Sequence, residues 1–470
     1  MDNIILEDRL VGKTDRELTP DVALQIGVAL GTYLGKNSTI ITSRDFRTDC
    51  RMLKRALTAG LMAAGANTID FHAAITPITQ FAIKRFGASA GVAITSGLGP
   101  QDEITIRIFD STGVEWSKEQ LKQIFQIWNQ KKVYRASPEE VGQLSYVPDA
   151  STIYQSALNR FINIDEIAKS RFRVVLDCAL GPASIIAPSL FSKAGCDVVA
   201  LNSYQPVHIA EVLPNTASLL KVSQTIIATN ADVGIVFDVE GNRVVFLDSD
   251  GNFISPDEIA TLFLKKKISR RKGIIAVNNS LSRSIEQIIK NEDGPRIERV
   301  AAAPGTIASC LRDAHGLFGA SDQGEYMFPA FSLESDGILA SLMMLELLAN
   351  EKKALSELLS DIPRFPVVRY DLPCRKEETT LIIDMIRETA YEDVFFIDTL
   401  VGVKLVFPKR GWVHIRPSLK RDTLVLSAEA EKFSDTDTLL KKAEEYVRTI
   451  LKELRSKPKN KKVYESCSQN

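Results

Sequence analysis

Strands and helices alternate along this chain in three rounds, and that alternation leaves few folds open to it. Leu18-Thr19-Pro20 opens a helix, with Thr19 as cap and Pro20 at the first helical position. Val22, Ile26, Ala29, Leu30 and Tyr33 then recur at helical spacing. The β-branched run Thr39-Ile40-Ile41-Thr42 reads as a buried strand, and a helix follows with Leu53, Leu57, Gly60, Leu61 and Ala64 on one side. Strands at 68–71 and 91–95 complete the first round. A second round holds strands at 173–177, 197–200 and 233–238 with helices at 185–194 and 216–228. The third opens at Ser255-Pro256-Asp257-Glu258, a Ser cap with Pro in the first turn and Glu three residues on. It runs through a strand at 273–277 to the apolar helix 336–349. Such alternation predicts parallel strand pairing with helices over the sheet faces.

After Pro363 and Pro366 the pattern changes. Strands near 366–370, 402–407, 412–416 and 423–429 surround one helix near 377–390, and a last amphipathic helix carries Leu440, Ala443, Val447, Ile450 and Leu454. The predicted organisation is therefore α/β: three similar mixed-sheet α/β domains at 1–145, 146–252 and 253–364, then a C-terminal α+β domain at 365–455. A disordered basic tail is expected at 456–470. The length of 470 residues agrees with several domains rather than one core. With 58 Lys+Arg against 59 Asp+Glu, the chain lacks the basic excess of a nucleic-acid binder. No apolar run is long enough for a membrane span, and the acidic start MDNIILEDRL does not read as a signal peptide. The six cysteines form no CxxC or Cys/His pair and read as reduced structural thiols, which points to the cytoplasm. Four histidines are too few for a poly-His metal site.

Several stretches together resemble the α-D-phosphohexomutase superfamily, from about residue 9 to 450. They are Glu17-Leu18-Thr19-Pro20, Ser43-Arg44-Asp45-Phe46-Arg47, Val174–Gly181 (VVLDCALG), Gly234–Arg243 (GIVFDVEGNR), Asp336–Ala340 and Gly411–Ser418 (GWVHIRPS). The resemblance implies four domains around a central cleft. It also implies transfer of phosphate between the 1 and 6 positions of a hexose through a phosphoserine, a divalent cation, a sugar-gripping loop and a phosphate-gripping loop.

Each of those four loops is altered here. Where the family reads T-A-S-H-N-P, this chain reads Thr95-Ser96-Gly97-Leu98-Gly99-Pro100, so Gly97 stands in place of the phosphate-carrying serine. Ser96 is the remaining candidate nucleophile, and the two glycines beside it relax the backbone; an ordinary loop serine is the plain alternative. The metal loop D-x-D-x-D-R becomes Asp238-Val239-Glu240-Gly241-Asn242-Arg243. The implied cofactor is Mg²⁺, at a site weakened by the loss of one carboxylate and the longer Glu. The sugar loop becomes Ala320-Ser321-Asp322-Gln323-Gly324-Glu325 and keeps only its glycine. Asp322, Gln323 and Glu325 are its candidate substrate contacts. In the phosphate loop Arg416 and Ser418 remain, Leu419 replaces a glycine, and Lys420 and Arg421 add charge. Arg416, Ser418 and Lys420 are the candidate anion contacts. Arg9, Arg44 and Arg47 match family positions. Arg44 is a candidate catalytic residue, or else the partner of Asp45 in an internal ion pair.

Four altered loops on an intact fold pattern predict a carbohydrate-metabolism protein impaired in phosphoserine-dependent mutase chemistry. The expected partner is a phosphorylated sugar or another anion in the cleft, with self-association or an active paralogue as further possibilities and neither nucleic acid nor membrane. An active phosphomannomutase- or phosphoglucomutase-type enzyme rebuilt around Ser96 is the alternative.

Overall fold

The computed structural model describes residues 4–6, 8–97, 102–147, 149–205, 214–269, 271–289, 294–389, 394, 396–398, 401–407, 411–418 and 422–456. The expected tail beyond Ser456 and the candidate Lys420 lie outside them. The chain forms two compact units, Met1–Pro363 and Arg364–Asn470.

In the first unit, seven strands form one sheet: β1 (Ile5–Leu6), β2 (Arg9–Lys13), β3 (Thr39–Arg44), β4 (Asn67–Ala73), β5 (Ala90–Thr95), β6 (Glu103–Phe109) and β7 (Leu144–Tyr146). Their order is β1-β2-β6-β5-β3-β4-β7. The helices α1 (Pro20–Leu34), α2 (Thr48–Ala63) and α3 (Thr76–Phe86) connect them. A second sheet of β8 (Arg173–Asp177), β9 (Asp197–Leu201), β10 (Val233–Phe237), β11 (Val244–Leu247) and β12 (Phe253–Ile254) has the order β12-β11-β10-β8-β9. A third holds β13 (Ile274–Asn278), β14 (Arg296–Val300), β15 (Phe318–Ala320) and β16 (Tyr326–Met327), in the order β14-β13-β15-β16.

All three sheets are mixed in the same way. The strands anticipated in the first two rounds pair in parallel, β3 with β4 and β5 and β8 with β9 and β10, and the anticipated β13 pairs in parallel with β14 and β15, which the sequence did not reveal. An antiparallel strand then follows on one side, β6 on β5, β11 on β10 and β16 on β15, with β2 and β12 continuing the first two sheets beyond it. The mixed sheets expected for the three domains are therefore observed, with parallel pairing kept for the helix-linked strands. A short return needs no crossover helix, so the chain doubles back directly. The three connections of this type, 96–102, 238–243 and 321–325, are the nucleophile, metal and sugar loops of the resemblance. Equivalent topology delivers each to the same end of its sheet.

Local signals behave as physical chemistry requires, with one exception. Ser255 forms a full capping box with Glu258, and Asp336 caps the helix Gly337–Glu351 by accepting from the Leu339 N–H at 2.9 Å. That helix is buried on nearly every side, consistent with its almost unbroken apolar run. The exception is Thr19: it occupies the cap position of α1, but its hydroxyl donates to Asp21 at 2.5 Å instead of accepting from the helix.

The second unit is an antiparallel sheet of Val367–Pro373, Phe396–Asp398, Val403–Phe407, Gly411–Pro417 and Thr423–Glu429, with helices Lys376–Glu388 and Phe433–Ser456. The last helix runs to Ser456, the first residue of the expected tail. Its own core gathers Leu372, Ile382, Ile386, Ile415, Leu426, Val447 and Ile450.

Candidate functional site

The three loops of the first unit meet. The Thr76 N–H, at the start of α3, donates to the Glu240 carbonyl at 2.9 Å, and the Val244 N–H donates to the Gly324 carbonyl at 3.0 Å. Arg243 bridges to the Glu325 carboxylate at 3.1 Å. Thr95, at the end of β5, donates its hydroxyl to Glu240 Oε1 at 2.6 Å. The candidates on the first three loops are therefore brought together, while Arg416 and Ser418 belong to the second unit.

On the nucleophile loop, Ser96 is buried, and both its N–H (2.7 Å) and its hydroxyl are held by Asp45 Oδ2. Gly97 has φ of +63°. A Cβ placed there would lie 2.2 Å from the Thr105 hydroxyl oxygen on β6. Backbone conformation and space both select glycine in this loop as it stands.

The metal loop carries a charge arrangement that its sequence alone does not reveal. Glu240 Oε2 accepts from Arg107 Nη1 at 2.9 Å and lies 3.9 Å from Arg9. Arg107, on β6, is 1% exposed, and its other nitrogens hold Glu115 at 3.0 and 2.6 Å. Arg9 donates to the same Glu115 at 2.8 and 3.1 Å. Two guanidinium groups thus face two carboxylates in a dry interior. Burial opposes the charge on Glu240, but Arg107 and Arg9 overcome it and hold its pKa down at about 2. Glu334 accepts from the Glu115 N–H at 3.0 Å, and burial, then the Glu115 charge, pushes its carboxyl up to about 7.

Asp238 accepts from the N–H groups of Asn242 (3.1 Å) and Arg243 (3.2 Å), and burial raises its pKa to about 6. Asp238 Oδ2 and Asn242 Oδ1 are buried without a hydrogen-bond partner. These two oxygens alone suit a cation. Glu240, which the resemblance makes the third ligand, has one oxygen on Thr95 and the other on Arg107. Among the described residues no group of three His, Cys, Asp or Glu is placed to hold a metal. A Mg²⁺ ion demands near-octahedral oxygen geometry, so the residues as arranged do not fit it.

In the sugar loop, Ser321 donates to Glu325 at 2.7 Å, and Asp322 accepts from Asn278 at 2.6 Å. Gln323 is half-buried, its N–H on the Ser321 hydroxyl at 3.2 Å. Glu325 is thus committed to Arg243 and Ser321. Arg44 does not pair with the Asp45 carboxylate. It donates to the Asp45 carbonyl at 2.5 Å, and the carboxylate serves Ser96 and the Arg47 N–H instead. In the second unit Arg416 is 2% exposed at the end of its strand, and the Ser418 N–H donates to the Thr423 carbonyl at 3.0 Å. Four cysteines are buried free thiols, and burial pushes Cys178 and Cys196 up to about 12, which keeps them protonated.

Three domain families match the chain: phosphoglucomutase/phosphomannomutase α/β/α domain I at residues 7–135, domain II at 152–251 and domain III at 255–365. A probable phosphoglucosamine mutase of Methanopyrus kandleri is 32% identical, over 94% of this chain and 97% of the relative. The chain belongs to the phosphohexomutases. The fold of this phosphohexomutase relative is also that of solved members. A phosphoglucomutase/phosphomannomutase family protein from Burkholderia thailandensis superposes with a TM-score of 0.81 at 22% identity, covering 97% of this chain and 98% of that one. An Aspergillus fumigatus N-acetylphosphoglucosamine mutase, solved with GlcNAc-6P and magnesium, gives 0.53 at 15% identity, over 84% and 93%. No helix among the described residues is long and apolar enough to cross a membrane.

Arg107, Glu115, Thr95 and Glu334 escaped the sequence reading. A signal for Arg107 was present: a lone arginine in Glu103-Ile104-Thr105-Ile106-Arg107-Ile108-Phe109, a strand buried on both faces, requires carboxylate partners.

Proposed function

We propose that this phosphohexomutase relative is a cytoplasmic phosphosugar-binding protein that does not run the phosphoserine mutase reaction. The observation that carries this reading is Gly97. It stands at the nucleophile position with φ of +63° and no room for a Cβ, so no phosphoryl acceptor is available there. Glu240 adds support, because its negative charge is already met by Arg107 rather than left for a metal. Polar side chains at Asp322 and Gln323, and Arg416 with Ser418 in the second unit, retain the means to bind sugar hydroxyls and a phosphate. The relatives named as phosphoglucosamine mutases favour an amino-sugar phosphate as ligand. Lys420 belongs to the same proposal.

One observation favours an active enzyme instead: the Ser96 hydroxyl donates to the Asp45 carboxylate, a nucleophile–base contact. A single assay separates the two. Glucosamine, glucose and mannose 1-phosphates are offered with Mg²⁺ and a hexose bisphosphate, and turnover is followed for the native chain and for Ser96→Ala. The binding reading expects no turnover from either, with a thermal shift by the sugar phosphate. Turnover that Ser96→Ala abolishes overturns it.

A further inference from the structure

We propose that the first domain carries a second ligand site, for a nucleoside diphosphate, that is independent of the loops above. Helix α2 supplies its basis. Arg51, Lys54, Arg55 and Thr58 follow at i, i+3, i+4 and i+7, so they share a face, while Leu53, Leu57 and Leu61 fill the core from the other side. That polar face borders a cavity of about 410 Å³, within the size range of small-molecule sites. Arg44, at the end of β3, and Asp70, His72 and Tyr146, on β4 and β7, complete its wall.

The charges there are unbalanced. Four cationic side chains line the cavity with one carboxylate. Asp70 is already engaged by Lys54 and by the His72 N–H at 2.6 Å. Arg44 is 8% exposed and spends one nitrogen on a backbone carbonyl. Burial, then the neighbouring Arg51 charge, depresses its pKa. Arg51 Nε is buried with no partner. Like charges three and four residues apart disfavour a helix, and a buried guanidinium nitrogen without an acceptor costs more. Adjacent phosphates resolve both, since arginine forks match phosphate oxygens.

The rim adds a second recognition element. The rings of His72 and Tyr146 stack at 5.3 Å and 8°, and Tyr146 is 57% exposed. His72 holds φ of +54°, a costly conformation for a residue with a side chain, and it is kept at the cavity edge. A flat exposed ring beside a cationic pocket suits a base joined to phosphates.

Titration calorimetry on the full chain tests the site with three probes: ADP, inorganic pyrophosphate and adenosine. ADP is expected to bind with an affinity that falls as salt rises, pyrophosphate more weakly, and adenosine not at all. Arg51→Ala and Arg55→Ala, at positions not fully buried, should each weaken ADP about tenfold. Tyr146→Ala should weaken ADP and leave pyrophosphate unchanged. Absence of ADP binding at millimolar concentration overturns the proposal. So does ADP binding that both arginine variants leave intact, or ADP that hexose phosphates displace competitively. Because the mutase assay does not enter, this site and the proposed function fail separately.

Discussion

Replacing Arg107 by Met removes the nearer of the two guanidinium groups that compensate Glu240, leaving Arg9 at 3.9 Å, and half of the charge that compensates Glu115, while roughly keeping the volume. Both carboxylates are essentially fully buried, and Arg107 makes three hydrogen bonds to them at 3.0, 2.9 and 2.6 Å. Taking one partner from a buried ion network costs about 3–5 kcal/mol. Unfolding entropy of about 2.1 cal/mol/K per residue gives roughly 0.76 kcal/mol/K for a cooperative unit the size of Met1–Pro363, so Tm should drop by about 4–7 °C. The sharper outcome concerns metal. With the guanidinium gone, Glu240 Oε2 becomes available beside the unpartnered Asp238 Oδ2 and Asn242 Oδ1. Mg²⁺ at about ten times its Kd would then return about 1.4 kcal/mol, roughly 2 °C, to the variant. The native chain should show no such gain, and neither should Arg107→Lys, which keeps a cation in place. Differential scanning fluorimetry with and without MgCl₂ reads all three. Equal Mg²⁺ stabilisation of the native chain and Arg107→Met refutes the reasoning, as does an Arg107→Met chain that melts with the native one.

Two further outcomes follow from the same geometry. Gly97→Ser supplies the missing hydroxyl but should give no mutase turnover and should lower Tm, because its Cβ meets the Thr105 hydroxyl at 2.2 Å on a backbone at φ +63°; the cost is about 1–3 kcal/mol, and a coupled mutase assay beside a melting curve checks it. Stability should fall as pH rises from about 5 to about 7.5. Burial lifts Glu334 to about 7 and Asp336 to about 6, so over that window the folded form holds protons that the unfolded chain has released, and each rise in pH favours unfolding. Asp336→Asn keeps an acceptor for the Leu339 N–H and should flatten the slope; urea midpoints at pH 5 and 7.5 that do not differ, for either chain, contradict the assignment.

The parallel strands β3, β4, β5, β8, β9, β10 and β13 were legible because each is determined locally by an apolar, largely β-branched run. So were the helix at the Ser255–Glu258 capping box and the apolar helix after Asp336, while the parallel strands β7, β14 and β15 were missed. The antiparallel returns β6, β11 and β16 were not legible. They are short or carry polar residues, and their role is defined only by the strand they lie against. The site divides the same way. The identities of Gly97, Asp238, Glu240 and Asn242 could be read from the chain, but the state of Glu240 could not, since Arg107 lies 133 residues away in sequence and Glu115 meets Arg107 only through the β6 turn. Arg44 and Asp45 illustrate the converse. Adjacency suggested an ion pair, yet the side chain of one and the carboxylate of the other serve different neighbours.

Where the loops of the resemblance sit bears on how much the fold depends on their side chains. Each of the three in the first unit is the connection between a parallel strand and its antiparallel return, and its described polar side chains, buried at Ser96, Asp238, Asn242, Ser321 and Asp322, bond to one another and to backbone rather than build the apolar core. Replacing Ser by Gly at 97, or carboxylates by Ser321 and Asn242, removes no apolar contact from that core. Glu240, buried as they are, carries its charge in a network with two arginines. A buried carboxylate must be matched by a positive charge, and an exchangeable ion would make folding depend on its concentration. In this chain the matching charges are Arg107 and, at 3.9 Å, Arg9, both held by the same sheet that carries the nucleophile loop. The charge of Glu240 is thereby met within the protein, with Oε2 on Arg107 and Oε1 on Thr95.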